Sequence, residues 1–178
     1  MDYVLKGKTV LNEDDIKSVD DCKGLLALLK HEINTLSVTT AIFTPPEIAV
    51  ILTNVKMRDA MLRTFYEEDQ TLKNFITWWN GAGSWLSSDL SKEQKAKVLP
   101  LLAGALLLEG RWEDTEAAID LAIKYASEAN VLVPGLAILM RRSMQAGAMM
   151  GSKQDIIKLW RESIEQVDMN EVLTNNNN

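Results

Sequence analysis

Leu99-Pro100-Leu101-Leu102-Ala103-Gly104-Ala105-Leu106-Leu107-Leu108 carries no polar side chain, in a chain of 178 residues of which 25% are charged. As a helix, ten residues cover ~15 Å, half of the ~30 Å hydrocarbon core of a bilayer, so the stretch is too short to span a membrane. A helix that is apolar on every side must instead be covered by neighbours on most faces. The rest of the sequence is therefore expected to supply helices that pack around it.

Working outward, Ser91 with Gln94 three residues later is a capping-box pattern that starts this helix, and Gly110 ends it. Trp112, Thr115, Ile119, Ala122, Ile123 and Ala126 form the apolar stripe of the next, with Glu113, Asp114 and Glu116 set against its N-terminal dipole. Pro134 opens a further short helix closed by Gly147. Ser152 and Asp155 box the last one, with Ile156, Leu159, Trp160, Ile164 and Val167 inward. In the other direction, Asp69 caps a helix that aligns Leu72, Phe75, Ile76 and Trp79, and Met57 to Tyr66 aligns Met61, Leu62 and Phe65. Asn54 breaks that helix from one started by Thr44-Pro45-Pro46-Glu47, with Ile48, Ile51, Leu52 and Val55 inward. Ser18 with Asp21 opens the first helix, on which Cys22, Leu25, Leu26, Leu29, Ile33 and Leu36 repeat.

Composition agrees. Leu, Ala and Met total 48 residues against 23 for Val and Ile, and only 13 residues are Gly or Pro, so the apolar supply favours helix and turns are scarce. The expected fold is all-α: a single domain over 1–178, forming a compact multi-helix bundle. Residues 1–17 are a short extended N-terminal arm, 18–168 the helical core and 169–178 a frayed tail. Weak alternation of Tyr3, Leu5, Thr9 and Leu11 leaves open whether the arm holds a strand.

Leu102, Ala103, Gly110, Trp112, Ala122 and Ile123 fall at the spacings of a tetratricopeptide-like hairpin, with Thr115 in place of the usual Ala. The following comparable glycine, Gly151, lies 41 residues after Gly110 rather than 34, and the face that would line an open groove carries Pro100, Gly104, Leu107 and Leu108. One such hairpin inside a closed bundle is expected, not a superhelix.

Asn54-Val-Lys-Met-Arg58-Asp59-Ala60, then Leu101-Leu102-Ala103, the run from Gly110 to Ile123, and Leu136 to Gly147 resemble the C-terminal part of the domain-of-unknown-function family numbered 4192, found in actinobacteria and some of their phages. The resemblance covers roughly residues 45–147. The chain departs from the family in having a stub in place of the longer N-terminal region and in lacking an Asp-Pro turn near Glu128 to Asn130. The family has no established activity, so the resemblance implies a fold and a source, not a reaction. Lys, Asn and Ile content unusual for a high-GC gene tilts the source toward a phage.

The net charge of −6 disfavours a nucleic-acid surface. Cys22 is the only cysteine, which excludes an internal disulfide, and Met1 to Lys8 lacks the basic-then-apolar pattern of a signal peptide. The expected location is the cytoplasm, that of the host if the gene is a phage's. His31 is the only histidine, so zinc could draw on one His and one Cys at most. Cys22 and His31 are placed near one face of their helix, but Cys22 lies on the apolar stripe, where thiols are usually inert. Glu13, Asp14, Asp15, Asp20 and Asp21 cluster before a helix start, where they serve its dipole. No metal, cofactor or catalytic set is expected.

The candidate binding residues are six. Trp78 and Trp85 are large apolar groups that a core can spare: if Trp79 is buried, Trp78 sits 100° round the helix at the edge of the buried face. Trp112 and Trp160 are core. Arg58 and Asp59 open a helix in the family-like segment, with a structural clamp to a neighbouring helix as the plainer reading. Arg141 and Arg142 suggest an anion site, against favourable interaction with the C-terminal dipole of a helix ending at Gly147. Together these point to a non-enzymatic protein-binding module, a phage-encoded modulator of a host factor. The alternatives are a self-assembling scaffolding subunit and, second, a carboxylate-dependent enzyme, which would need a deep pocket with two acidic residues.

Overall fold

The computed structural model describes residues 22–35, 43, 45–81 and 90–173. Among them all regular structure is helical: α1 (Cys22–Thr35), α2 (Pro45–Thr53), α3 (Val55–Glu67), α4 (Asp69–Gly81), α5 (Lys92–Leu108), α6 (Trp112–Ala129), α7 (Gly135–Met150), α8 (Lys153–Glu165) and α9 (Met169–Leu173). The expectations for the N-terminal arm, the Ser18 start, Thr44, Trp85 and the last five residues lie outside the described residues.

The apolar helix α5 is the hub. Every residue from Val98 to Leu108 is buried, and α5 packs against α2, α3, α4, α6 and α8. Its start is the Ser91–Gln94 capping box with both reciprocal bonds present, at 3.1 and 3.0 Å. Its most extensive partner is α6, reached through Gly110, whose φ of 80° suits a residue with no Cβ. On α6 the small residues Ala118, Ala122 and Ala126 are buried beside Trp112, so the hairpin is close-packed. Thr115, in place of the usual Ala, is also fully buried. Its hydroxyl is satisfied by donating to the Arg111 carbonyl at 2.7 Å. Around this hairpin α3 forms the second hub, touching α1, α2, α4, α5, α8 and α9. The outcome is a closed helical bundle.

Several boundaries differ from the sequence expectation. Asn54 separates α2 from α3 as expected, but α3 resumes at once, at Val55 and not Met57, because Asn54 caps it by accepting from the Met57 amide at 3.2 Å. Val55, expected inward, is then the first residue of α3 and exposed. Asp69 is the first residue of α4, and Glu68 holds the joint by accepting from the Thr71 hydroxyl at 2.8 Å. Ser152 starts α8 through its backbone carbonyl and not through its side chain. Residues 169–173, expected to belong to a frayed tail, form α9, whose Met169 and Val172 pack against the core.

The largest boundary difference concerns Gly147. It does not close α7 but is buried inside it. A Cβ there would lie 2.4 Å from Ile156 Cγ1 and 3.3 Å from Trp112 Cη2. The glycine is a contact residue that lets α7 and α8 approach. The helix stops at Gly151, whose φ of 69° permits the left-handed turn and whose neighbour Ser152 donates back to the Gly147 carbonyl at 3.0 Å.

Candidate functional site

The tight turn at Gly151 and the absent side chain at Gly147 bring α7 and α8 together as an antiparallel hairpin on the outside of the bundle. Between them runs a groove of about 190 Å³ lined by Leu107, Leu139, Met140, Ser143, Ile156, Leu159, Trp160 and Ser163. Leu107 reaches its floor from α5. Trp160 forms one wall and is anchored by donating from Nε1 to the Gly104 carbonyl at 3.2 Å. The glycine makes room for this contact: a Cβ at Gly104 would press on the terminal methyl Leu62 Cδ2 at 2.8 Å and on Trp160 Cζ2 at 3.2 Å. The lips carry the exposed leucines Leu139, 58% accessible, and Leu159, 56% accessible. Leu159 therefore does not point inward with Ile156 and Ile164, and Trp160 is only partly buried. Met149 and Met150 extend the apolar surface along α7.

The six residues picked out in the sequence do not converge. Trp78 is half-buried at the edge of the core, its ring 5.9 Å from that of Phe75, while Trp79 is buried beside it. Trp85 lies outside the described residues. Arg58 and Asp59 pair with each other, with Nε donating to Oδ1 at 2.8 Å and Nη2 at 2.7 Å, so Arg58 clamps its sequence neighbour and not another helix. Because α7 continues to Met150, Arg141 and Arg142 stand in its middle, and the C-terminal dipole does not account for them. Arg141 forms an ion pair with Asp120 of α6. Arg142 is exposed, three positions from Leu139 on the outer side of the α7 lip. Cys22 is buried and His31 exposed: nine positions turn a helix by two and a half turns, which sets them on opposite sides and not on one face.

A second cleft, about 320 Å³, is lined by Phe65, Tyr66, Asp69, Leu72, Leu108, Glu109 and Arg161. Its charges are tied to the protein. Asp69 pairs with Lys73 at 2.6 Å, Glu109 with Arg111 at 3.6 Å, and Arg161 donates to the Leu108 carbonyl at the end of α5. Nearby Arg63 donates to the Ile164 and Glu165 carbonyls at the end of α8. Both arginines thus sit where C-terminal helix carbonyls need donors. Partial burial, then the Glu165 carboxylate, hold the Tyr66 phenol above 10. Among the described residues no three His, Cys, Asp or Glu side chains gather as a metal site, and no helix is long and apolar enough to cross a membrane.

Leu139 was not singled out in the sequence, and Leu159 was placed on the inward stripe of its helix, because it follows Ile156 at helical spacing. One signal was present: residues 131–152 contain no Asp or Glu, in a chain with 25 of them. With the geometry in place, comparison with known proteins adds nothing to it. No family model, curated protein or solved structure matches the chain.

Proposed function

We propose that the protein is a non-enzymatic protein-binding module whose docking surface is the α7/α8 face. One observation carries this reading: two leucines more than half exposed stand on opposite lips of an apolar groove whose floor belongs to the core. Single exposed apolar residues are ordinary on a protein surface, but a continuous apolar groove with apolar lips is the usual form of an interaction site. If the chain comes from a phage, the source toward which its Lys, Asn and Ile content tilts, it acts as a modulator and the partner is a host factor.

The test compares wild type with Leu139→Asp/Leu159→Asp by quantitative affinity capture from cells of the source organism. Both leucines are exposed, so the variant should keep its helical spectrum and melt within a few degrees of wild type. Proteins retained by wild type should fall at least about tenfold in the variant, as expected for loss of a central apolar anchor. An unchanged set of retained proteins with a folded variant refutes the reading.

A further inference from the structure

We propose that the outward face of α7 takes an amphipathic helix of another protein, one that carries a carboxylate in the middle of its apolar stripe where it can pair with Arg142. This rests on reading the α7/α8 face as a docking surface and names the occupant by its chemistry. On α7 the buried residues Ala137, Met140, Met144 and Gly147 define the inward side. At 3.6 residues per turn, Ile138, Leu139, Arg142, Gln145, Ala146 and Met149 share an arc of about 120° on the opposite side, and all six are exposed, Met149 at 88%. Arg142 stands near its centre. The outer face of a surface helix is ordinarily its polar side, whereas this one holds one charge and one amide among four apolar residues.

The positions one turn to either side of Arg142 are Ile138, Leu139, Gln145 and Ala146, so α7 offers it no carboxylate, and among the described residues it has no ion pair. Its neighbour Arg141 does, with Asp120. Asp155, the exposed acid in the first turn of α8, is set against the N-terminal dipole of that helix. An occupant that covers the apolar residues around Arg142 removes water from the guanidinium, and a purely apolar one would leave a buried charge unpaired. The occupant must therefore bring the missing carboxylate. It must also satisfy its own backbone, because the face offers side chains alone and all regular structure among the described residues is helical, with no strand edge to extend. A helix does this internally; an extended segment does not. The groove beside Leu139, about 190 Å³ with Leu107 at its floor, admits a large apolar side chain of such a helix.

Two other occupants fit less well. A second copy packed through the same face brings another Arg142 and no carboxylate from α7. An anionic lipid surface would answer Arg142, but it is flat and would press on Asp155 and Glu162, both exposed on the outward side of α8, and the net charge of −6 opposes it.

The test places the photo-reactive residue p-benzoylphenylalanine at Gln145 or at Met149 of the full chain, irradiates cells of the source organism and sequences the cross-linked peptides by mass spectrometry. The expected product is a protein segment with apolar residues at helical spacing and an Asp or Glu between them. Made as a labelled synthetic peptide, that segment should bind wild type with Kd of about 1–100 μM in fluorescence anisotropy, and Arg142→Glu should raise Kd at least about tenfold. Replacing the acid of the peptide by lysine should bring its Kd for the Arg142→Glu protein to within about threefold of the original pair, a rescue that misfolding cannot produce. Cross-links to a second copy, to lipid or to segments without a central acid, no cross-link at all, an Arg142→Glu protein that binds as wild type does, or a failed rescue would overturn the acidic helix. If affinity capture then still depends on Leu139 and Leu159, the docking surface stands with a different occupant. If capture is also indifferent to those leucines, both readings fall.

Discussion

Replacing Gly147 with alanine sets two effects of opposite sign against each other. In an open helix interior the change should stabilise by about 1 kcal/mol, because glycine loses more backbone entropy on folding and is a poorer helix former. At Gly147 the new methyl would lie 2.4 Å from Ile156 Cγ1 and 3.3 Å from Trp112 Cη2. Restoring van der Waals distance to Ile156 requires a shift of about 1.4 Å. Ile156 cannot swing away cheaply, since its β-branched χ1 is stiff, and Trp112 is buried behind it, so the hairpin itself must open. Overpacking of this kind costs about 1–3 kcal/mol or slightly more, so the net change expected for Gly147→Ala is a loss of about 1–2 kcal/mol. Gly135 supplies the control. It is the first residue of α7 with nothing within 4 Å of its Cβ position, and Gly135→Ala should gain a few tenths to about 1 kcal/mol. Urea denaturation followed by circular dichroism measures both. In an Ile156→Ala background, itself weakened by about 2–5 kcal/mol, Gly147→Ala should change sign and stabilise, because the opposing carbon is gone. A Gly147→Ala protein as stable as Gly135→Ala would refute the account of why the helix carries a glycine there.

Trp112→Ala should cost about 3–5 kcal/mol as a buried aromatic truncation, whereas half-buried Trp78 should cost clearly less; equal losses in denaturant titrations would place Trp78 in the core. Asn54→Ala should lose about 1 kcal/mol with the cap of α3, and Asn54→Asp should retain most of it. The Glu68 carboxylate is held below its ordinary value of 4.5, first by the hydrogen bond from Lys30 and also by the Thr71 hydroxyl, against the opposing effect of burial. Its folded-state pKa is lowered, so its contribution is present above pH 4.5 and is lost as pH falls through the folded value. Because the pair is more than a third exposed the effect should stay below about 1 kcal/mol, and Glu68→Gln should lower Tm at pH 7 by at most a few degrees and converge with wild type at low pH, which flattens the acid limb of Tm against pH.

Periodicity and capping chemistry made the bundle legible, and α5 most of all, because a helix without a polar side has one physical reading. Local ambiguity limited the rest. Gly147 and Gly151 are four residues apart and either could end a helix; which one turns left-handed depends on where α8 folds back, which is a tertiary fact. Misplacing that end put Arg141 and Arg142 beside a helix terminus, when one pairs with α6 and the other borders the groove. The groove itself was out of reach of a helix-by-helix reading. Ile156, Leu159 and Trp160 all look inward on one helix, and only the separation of α7 from α8 leaves Leu159 at the lip.

A helix covered on every side has no positions free to drift. Residues Ala96 to Leu108, apart from the partly exposed Lys97, are buried, so substitutions there are core substitutions, and Gly104 cannot accept even a methyl group without disturbing Leu62 and Trp160. When sequences related to this chain are aligned, α5 should be its most invariant segment, and that invariance will report packing, not chemistry. Selection for function should instead be visible where sequence is otherwise free to vary, as apolar character kept at the exposed positions Leu139 and Leu159.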